Sequence, residues 1–195
     1  PERVIETASI ATVPVDIVAG VLADAGLGID DVDGFHTSLT PGGMVSLADT
    51  LGLRNVRHFD GTDLGGATYV SSLATAARAI EAGDASVVLV VMAGLPRRAM
   101  FNRAVPGPHA VYEQVHGSTQ VAQYALVAQR HMAEFGTARE DLAHIKVASS
   151  YHASFNPHAM LPQRVTVEEV LEQPPIAEPL HRMDCCVVSD GGGAL

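Results

Sequence analysis

The sequence predicts an α/β protein whose mixed sheet is covered by helices on both faces, layered α-β-α. Three observations carry this reading. The run SVVLVVMAG at 86–94 has no polar alternation, as in a central strand buried on both sides. The stretch leading to it from Asp60 reads as a glycine-rich turn, a helix of small residues and a break at Gly83-Asp84. Along the first half of the chain, helical and strand periods alternate as α, β, α, β, α, β.

The helix expected over Gly66 to Ala82 contains Ala67, Ala74, Ala76, Ala77, Ala79 and Ala82, which favour helix and let neighbouring backbones approach closely. Val70, Leu73, Ala77 and Ile80 form an apolar stripe, and Arg78 and Glu81 mark the wetter side. The helix is therefore expected to be buried between layers, against a five-stranded sheet.

From the start of the chain, Thr12 can cap a helix with Pro14 in its first turn and Gly26 as its stop. Val15, Val18, Val21, Leu22 and Ala25 give that helix an apolar face. A short strand near Val32 to Thr37, a helix from Gly42 to Leu51 and a strand from Asn55 to Phe59 follow. Leu95 to His116 is interrupted by Pro96, Pro106, Gly107 and Pro108, so an irregular loop insertion is expected at about 95–116. Helices are expected from Ser118 to Glu134, then after the capping boxes Thr137/Glu140 and Thr166/Glu169. Pro179 marks an edge, MDCCVV reads as a strand, and Gly191 to Gly193 as a second glycine-rich turn. We read residues 1–195 as one domain. The chain opens without methionine and stops at Leu195, just after SDGGGA, where an apolar strand is expected to continue, so it is expected to be part of a longer polypeptide, incomplete at the C-terminus.

The charged fraction of 17% against 47% hydrophobic residues fits a globular protein with a substantial core. No run reaches the ~18 apolar residues of a membrane span, and no signal-peptide pattern opens the chain, so a cytoplasmic protein without a membrane span is expected. A net charge of −10 argues against a nucleic-acid partner. Cys185 and Cys186 cannot build a disulfide framework or a four-ligand zinc site, and are expected to pack as small apolar residues. His152 and His158 are six apart rather than three or four, so no metal site is expected.

Asp63 sits in the glycine-rich turn, where unpaired N–H groups and a helix dipole favour negative charge. It can be a general base or an orienting carboxylate, or simply a turn or N-cap residue. Asp190 in SDGGGA faces the same choice. His116 closes the irregular loop and is the best placed of the nine histidines. Arg97, Arg98 and Arg103 suit a nucleotide phosphate if the loop folds over a ligand, or are solvated. Tyr69, Tyr112, Tyr124 and Tyr151 offer phenols, expected mostly in the core or at a rim.

DVDGF after the first helix, the LGL at Leu51 to Leu53, the glycine-rich turn with AARAIEAG and SVVLVV, NPHA, TVEEVL and PLHRMDCCVVSDGGGAL follow one another over nearly the whole chain. In that order they resemble the N-terminal half of the thiolase superfamily, in its lipid-transfer-protein or SCP2-type thiolase branch. The resemblance implies a thiolase-like fold, an acyl-CoA substrate in lipid metabolism, and pairing into a homodimer. Coenzyme A then enters as part of the substrate, with no separately bound cofactor.

Members that perform thiolysis carry a nucleophilic cysteine at the start of the helix corresponding to Gly65 to Ala82; this sequence reads GTDLGGA there. The missing cysteine falls at Asp63 or slightly later. Relatives lacking it include steroid side-chain aldolases, lyases of steroid degradation that work by retro-aldol chemistry with a small partner carrying an OB-like domain. Gly65 and Gly66 can let backbone N–H groups meet a thioester oxygen, or can only permit close strand-helix packing. The leading expectation is an acyl-CoA lyase. The alternatives are an acetyl-CoA acyltransferase with its nucleophile elsewhere, and a non-catalytic lipid-binding or scaffold subunit.

Overall fold

A computed structural model describes residues 9, 11–38, 44–99, 112, 116 and 119–195. The chain forms two compact units, one of 4–100 with 189–195 and one of 1–3 with 101–188.

The first unit contains α1 (Thr12–Ala25), β1 (Gly34–Thr37), α2 (Met44–Leu51), β2 (His58–Gly61), α3 (Thr68–Ala82), β3 (Val88–Gly94) and the short α4 (Pro96–Ala99). The sheet runs β2-β1-β3 in parallel, and β6 (Gly191–Ala194) adds antiparallel to β3, so the sheet is mixed as expected. It has four strands rather than five among the described residues. Alternation along the strands sends Phe35, Leu89 and Val91 into one core with Val18, Leu47 and Ala48 of α1 and α2. Val90 and Met92 face the other way and pack on Ala76 of α3. Helices therefore cover both faces.

Asp33, just before β1, ties the strand starts together. Its carboxylate accepts hydrogen bonds from the N–H groups of Ser86 and Val87 at 2.7 and 2.8 Å and from Arg57 at 2.7 Å. These contacts, Val87 foremost, hold its carboxyl well below the usual carboxylate range.

Several elements differ from expectation. Thr12 is the first residue of α1 rather than its cap; the Ser9 carbonyl accepts from the N–H groups of Thr12 and Val13. Its buried residues are Val13, Pro14 and Val18, while Val15 is exposed. The second strand begins at His58 rather than Asn55, because the Asp33 carbonyl takes up the N–H groups of Arg57 and His58 where pairing starts. The face of α3 that meets the sheet is Thr68, Ser72, Ala76 and Ala79; the stripe Val70, Leu73, Ala77 and Ile80 is exposed in this chain. Close approach to the sheet selects the smaller side chains, so the larger apolar ones point away. The glycine run at Gly191 to Gly193 is a strand, not a turn. A Cβ at Gly192 would strike the Met92 carbonyl and lie 2.7 Å from Ala93 Cα, so β6 can lie this close to β3 only with glycine there.

The second unit contains α5 (Gln120–Phe135), α6 (Arg139–Ala153), α7 (Val167–Leu171) and a hairpin of β4 (Pro175–Ala177) and β5 (Leu180–His181). The Thr166/Glu169 capping box forms in both directions. The box expected at Thr137/Glu140 does not: Ala138 caps α6, its N–H donates to Asp141 at 2.8 Å, and the Thr137 hydroxyl meets His131. Instead of a strand, 182–184 form a 3₁₀ turn and 185–188 run irregularly. Cys186 is exposed and Cys185 half-buried, so the pair does not pack as core residues. Burial, then Asp184 and Cys186, push the Cys185 thiol up. Among the described residues no helix is long and apolar enough to cross a membrane.

Candidate active site

The parallel strands β1 and β2 end at Thr37 and Gly61, and the chain then turns through 62–67 into α3. Crevices beyond the carboxyl ends of parallel strands are where open α/β sheets bind ligands. Asp63 is exposed, and its Oδ1 accepts from the Gly65 N–H at 3.1 Å. It shapes the turn and does not cap α3, whose N-cap is Ala67 without a side-chain hydrogen bond. Oδ1 alone carries this contact among the described residues.

The Leu64 N–H donates to the Thr68 hydroxyl at 2.8 Å, and the Ala67 N–H to the Leu64 carbonyl at 3.3 Å. Gly65 is engaged by Asp63, whereas the Gly66 N–H, next along the turn, has no hydrogen-bond partner among the described residues. Gly65 is left-handed at φ +59°, which a side chain resists, whereas a Cβ at Gly66 would meet open space. An uncapped helix start with an exposed amide and a carboxylate beside it suits a developing oxyanion and a proton transfer.

On the α3 face of the sheet, beneath this turn, lies a group that sequence reasoning missed. His36 stands opposite Asp60 in register, and His58 lies two residues before Asp60 on the same face. The rings of His36 and His58 are 5.0 Å apart between centroids. His36 is 1% exposed, its Nε2 and that of His58 are buried without a hydrogen-bond partner, and burial with the neighbouring His58 holds the His36 imidazole below its ordinary range. The missed signal was period-2 spacing in HFD joined to a histidine on the neighbouring strand.

The remaining candidates fall on other elements of the chain. The Arg97 N–H donates to the Asp190 carboxylate at 2.9 Å, so Asp190 anchors the end of β3 and the start of α4. The side chain of Arg98 and all of Arg103 lie outside the described residues, as does most of the expected loop. His116 is an exposed turn residue of the second unit. Tyr69, Tyr112, Tyr124 and Tyr151 are all exposed rather than in the core. Tyr69 and Leu73 border a pocket of about 190 Å³ against Val90, Met92 and the end of β6. Within the second unit, an apolar cavity of about 820 Å³ lies among Tyr124, Ala128 and Met132 of α5, Ile145 of α6 and Cys185.

This layered α/β unit with its helix-start turn is of the thiolase-like class. A steroid side-chain-cleaving aldolase of Thermomonospora curvata is 32% identical over 193 residues, covering 92% of this chain and 49% of that protein. An acetyl-CoA acetyltransferase of Methanothermobacter thermautotrophicus is 30% identical over 187 residues, covering 90% and 48%. The solved Ltp2-ChsH2(DUF35) aldolase superposes with a TM-score of 0.86 at 30% identity, over 97% of this chain and 50% of that one. No protein-family model matches. The chain belongs to the SCP2-thiolase-like proteins of the thiolase superfamily, among the relatives of the steroid side-chain aldolases. It spans about half the length of the curated relatives it matches.

Proposed function

We propose that this chain contributes to an enzyme that cleaves the carbon–carbon bond of a 3-hydroxyacyl-CoA thioester by a retro-aldol route, without a covalent cysteine. The observation that carries the reading is the 63–66 turn: an uncapped helix start that offers a carboxylate and the Gly66 N–H, with no thiol. A base takes the proton of the 3-hydroxyl, the bond between carbons 2 and 3 breaks, and its electron pair passes into the thioester enolate. The Gly66 N–H stabilises that oxygen, and a proton returns to carbon 2. Asp63 is the base or the group that orients it.

Arg97, Arg98 and Arg103 hold the nucleotide phosphates in this reading, supported by a basic cluster in a chain of net charge −10. His116, at the end of the segment expected as a loop, is kept as a further catalytic candidate in this reading. The enzyme works as a homodimer with a small partner protein; the joined name of the Ltp2-ChsH2(DUF35) aldolase supports the partner, and the preference of soluble proteins for two-fold pairing supports the dimer. Sizing the full-length polypeptide at micromolar concentration checks the dimer; a monomeric mass overturns it.

The acetyl-CoA acetyltransferase relative supports a second reading, acyl transfer through a nucleophile outside this chain. Mass spectrometry after incubation with a 3-hydroxyacyl-CoA separates the two. Retro-aldol turnover yields a shortened acyl-CoA and a carbonyl product with no protein adduct, acyl transfer leaves an acylated protein, and no turnover at all points to an inert subunit.

A further inference from the structure

We infer that His36 Nε2, His58 and the Asp60 carboxylate form a binding site for one divalent transition-metal ion of the zinc class. Their ligand atoms lie within 4.8 Å of one another. Around a tetrahedral zinc with bonds near 2.0–2.1 Å, neighbouring ligand atoms stand about 3.4 Å apart, so the three side chains need only close by about 1.5 Å. Two imidazoles and one carboxylate are a donor set of metal sites that keep a position open to water or substrate.

Burial makes the arrangement hard to explain as packing. Two imidazole nitrogens sit inside the fold with no hydrogen-bond partner, where polar atoms are nearly always satisfied. The Ser72 backbone carbonyl of α3 hydrogen-bonds the His36 ring, and since Nε2 has no partner, that bond falls on Nδ1. A proton held on Nδ1 in this way leaves the Nε2 lone pair free for a ligand, as outer-shell carbonyls do for metal-bound histidines. His181 shows the contrast: it is also buried, but its ring meets the Gln173 carbonyl and Glu178. The site rests on this geometry and not on the retro-aldol reading.

The test is a titration of the full-length polypeptide, stripped of metal, with Co²⁺ followed by absorption and with Zn²⁺ in competition. The expected result is one Co²⁺ per chain with ligand-field bands of a nitrogen- and oxygen-ligated ion, displaced by Zn²⁺. His36→Gln is expected to weaken binding by at least about 100-fold and Asp60→Asn, toward the open side, by at least about tenfold. The double variant Cys185→Ser/Cys186→Ser is expected to bind as the wild type does, and circular dichroism of each variant confirms folding. Thiolate charge-transfer bands, binding indifferent to both His36→Gln and folded Asp60→Asn, or no stoichiometric binding to the wild type would each overturn the inference.

Discussion

Replacing Gly65 and Gly66 by alanine, one at a time, separates what the turn requires for folding from what it leaves open for chemistry. Either change removes unfolded-chain freedom and so stabilises by about 0.4–1 kcal/mol. That contribution is common to both variants and cancels in their difference. At Gly65 the backbone is left-handed at φ +59°, where a Cβ costs about 1–2 kcal/mol; Gly66 has no such conformation and no atom within 4 Å of the new Cβ. Gly65→Ala should therefore be less stable than Gly66→Ala by about 1–2 kcal/mol, or about 2–8 °C in Tm for a chain of 195 residues unfolding as a whole. Urea titration and thermal unfolding of the two variants side by side measure it. Equal stabilities, or greater damage at Gly66, would refute the account of the turn. Under the proposed function the order reverses in the activity assay. The Gly66→Ala methyl stands beside the exposed N–H, so kcat falls in the variant that folds better.

Three further outcomes are expected. Asp63→Asn keeps the acceptor for the Gly65 N–H but removes the base, so kcat should fall by about two to four powers of ten with CoA-ester binding nearly constant; normal turnover would make Asp63 a turn-former alone. Changing Arg97, Arg98 and Arg103 together to alanine should weaken CoA-ester affinity, and titration calorimetry showing no change would remove them from the phosphate site. Asp33 has a depressed carboxyl pKa, so the stability it contributes is complete above its unfolded value of about 4 and is lost as pH falls through the lower folded value. Asp33→Asn should be less stable than wild type at neutral pH, and the gap should narrow in acid-titrated unfolding below about pH 4; a gap independent of pH contradicts the linkage.

The fold was legible wherever one local rule sufficed. SVVLVVMAG has no polar alternation, and it is the central strand β3, flanked by β1 and β6. Gly26 and Gly83 end α1 and α3 in the left-handed conformation, and Thr166/Glu169 caps α7 as its spacing requires. What was misread depended on distant partners. A glycine run has low strand propensity, so nothing local at Gly191 to Gly193 announces β6; the cause is the backbone of Met92 and Ala93, nearly a hundred positions earlier. The larger apolar residues of α3 suggested its inward face, but contact with the sheet is decided by how closely the backbones approach, and there Ser72, Ala76 and Ala79 fit.

The site follows the same division. DGTDLGG reads as a glycine-rich turn from its composition, yet its first glycine is a strand residue. A Cβ at Gly61 would press on the Met44 sulfur and lie 2.6 Å from the Thr37 carbonyl, so β2 can run beside β1 in this register only with glycine at its end. That register puts His36 opposite Asp60, and strand parity puts His58 on the same face. Histidines judged by helical spacing within one segment could not show this, because the pairing of two strands 24 residues apart supplies the second half of the pattern. The turn and the histidine cluster thus share one cause. The glycine that seats β2 against β1 also fixes where the chain leaves the sheet, and with it where Asp63 and the Gly66 N–H emerge at the start of α3.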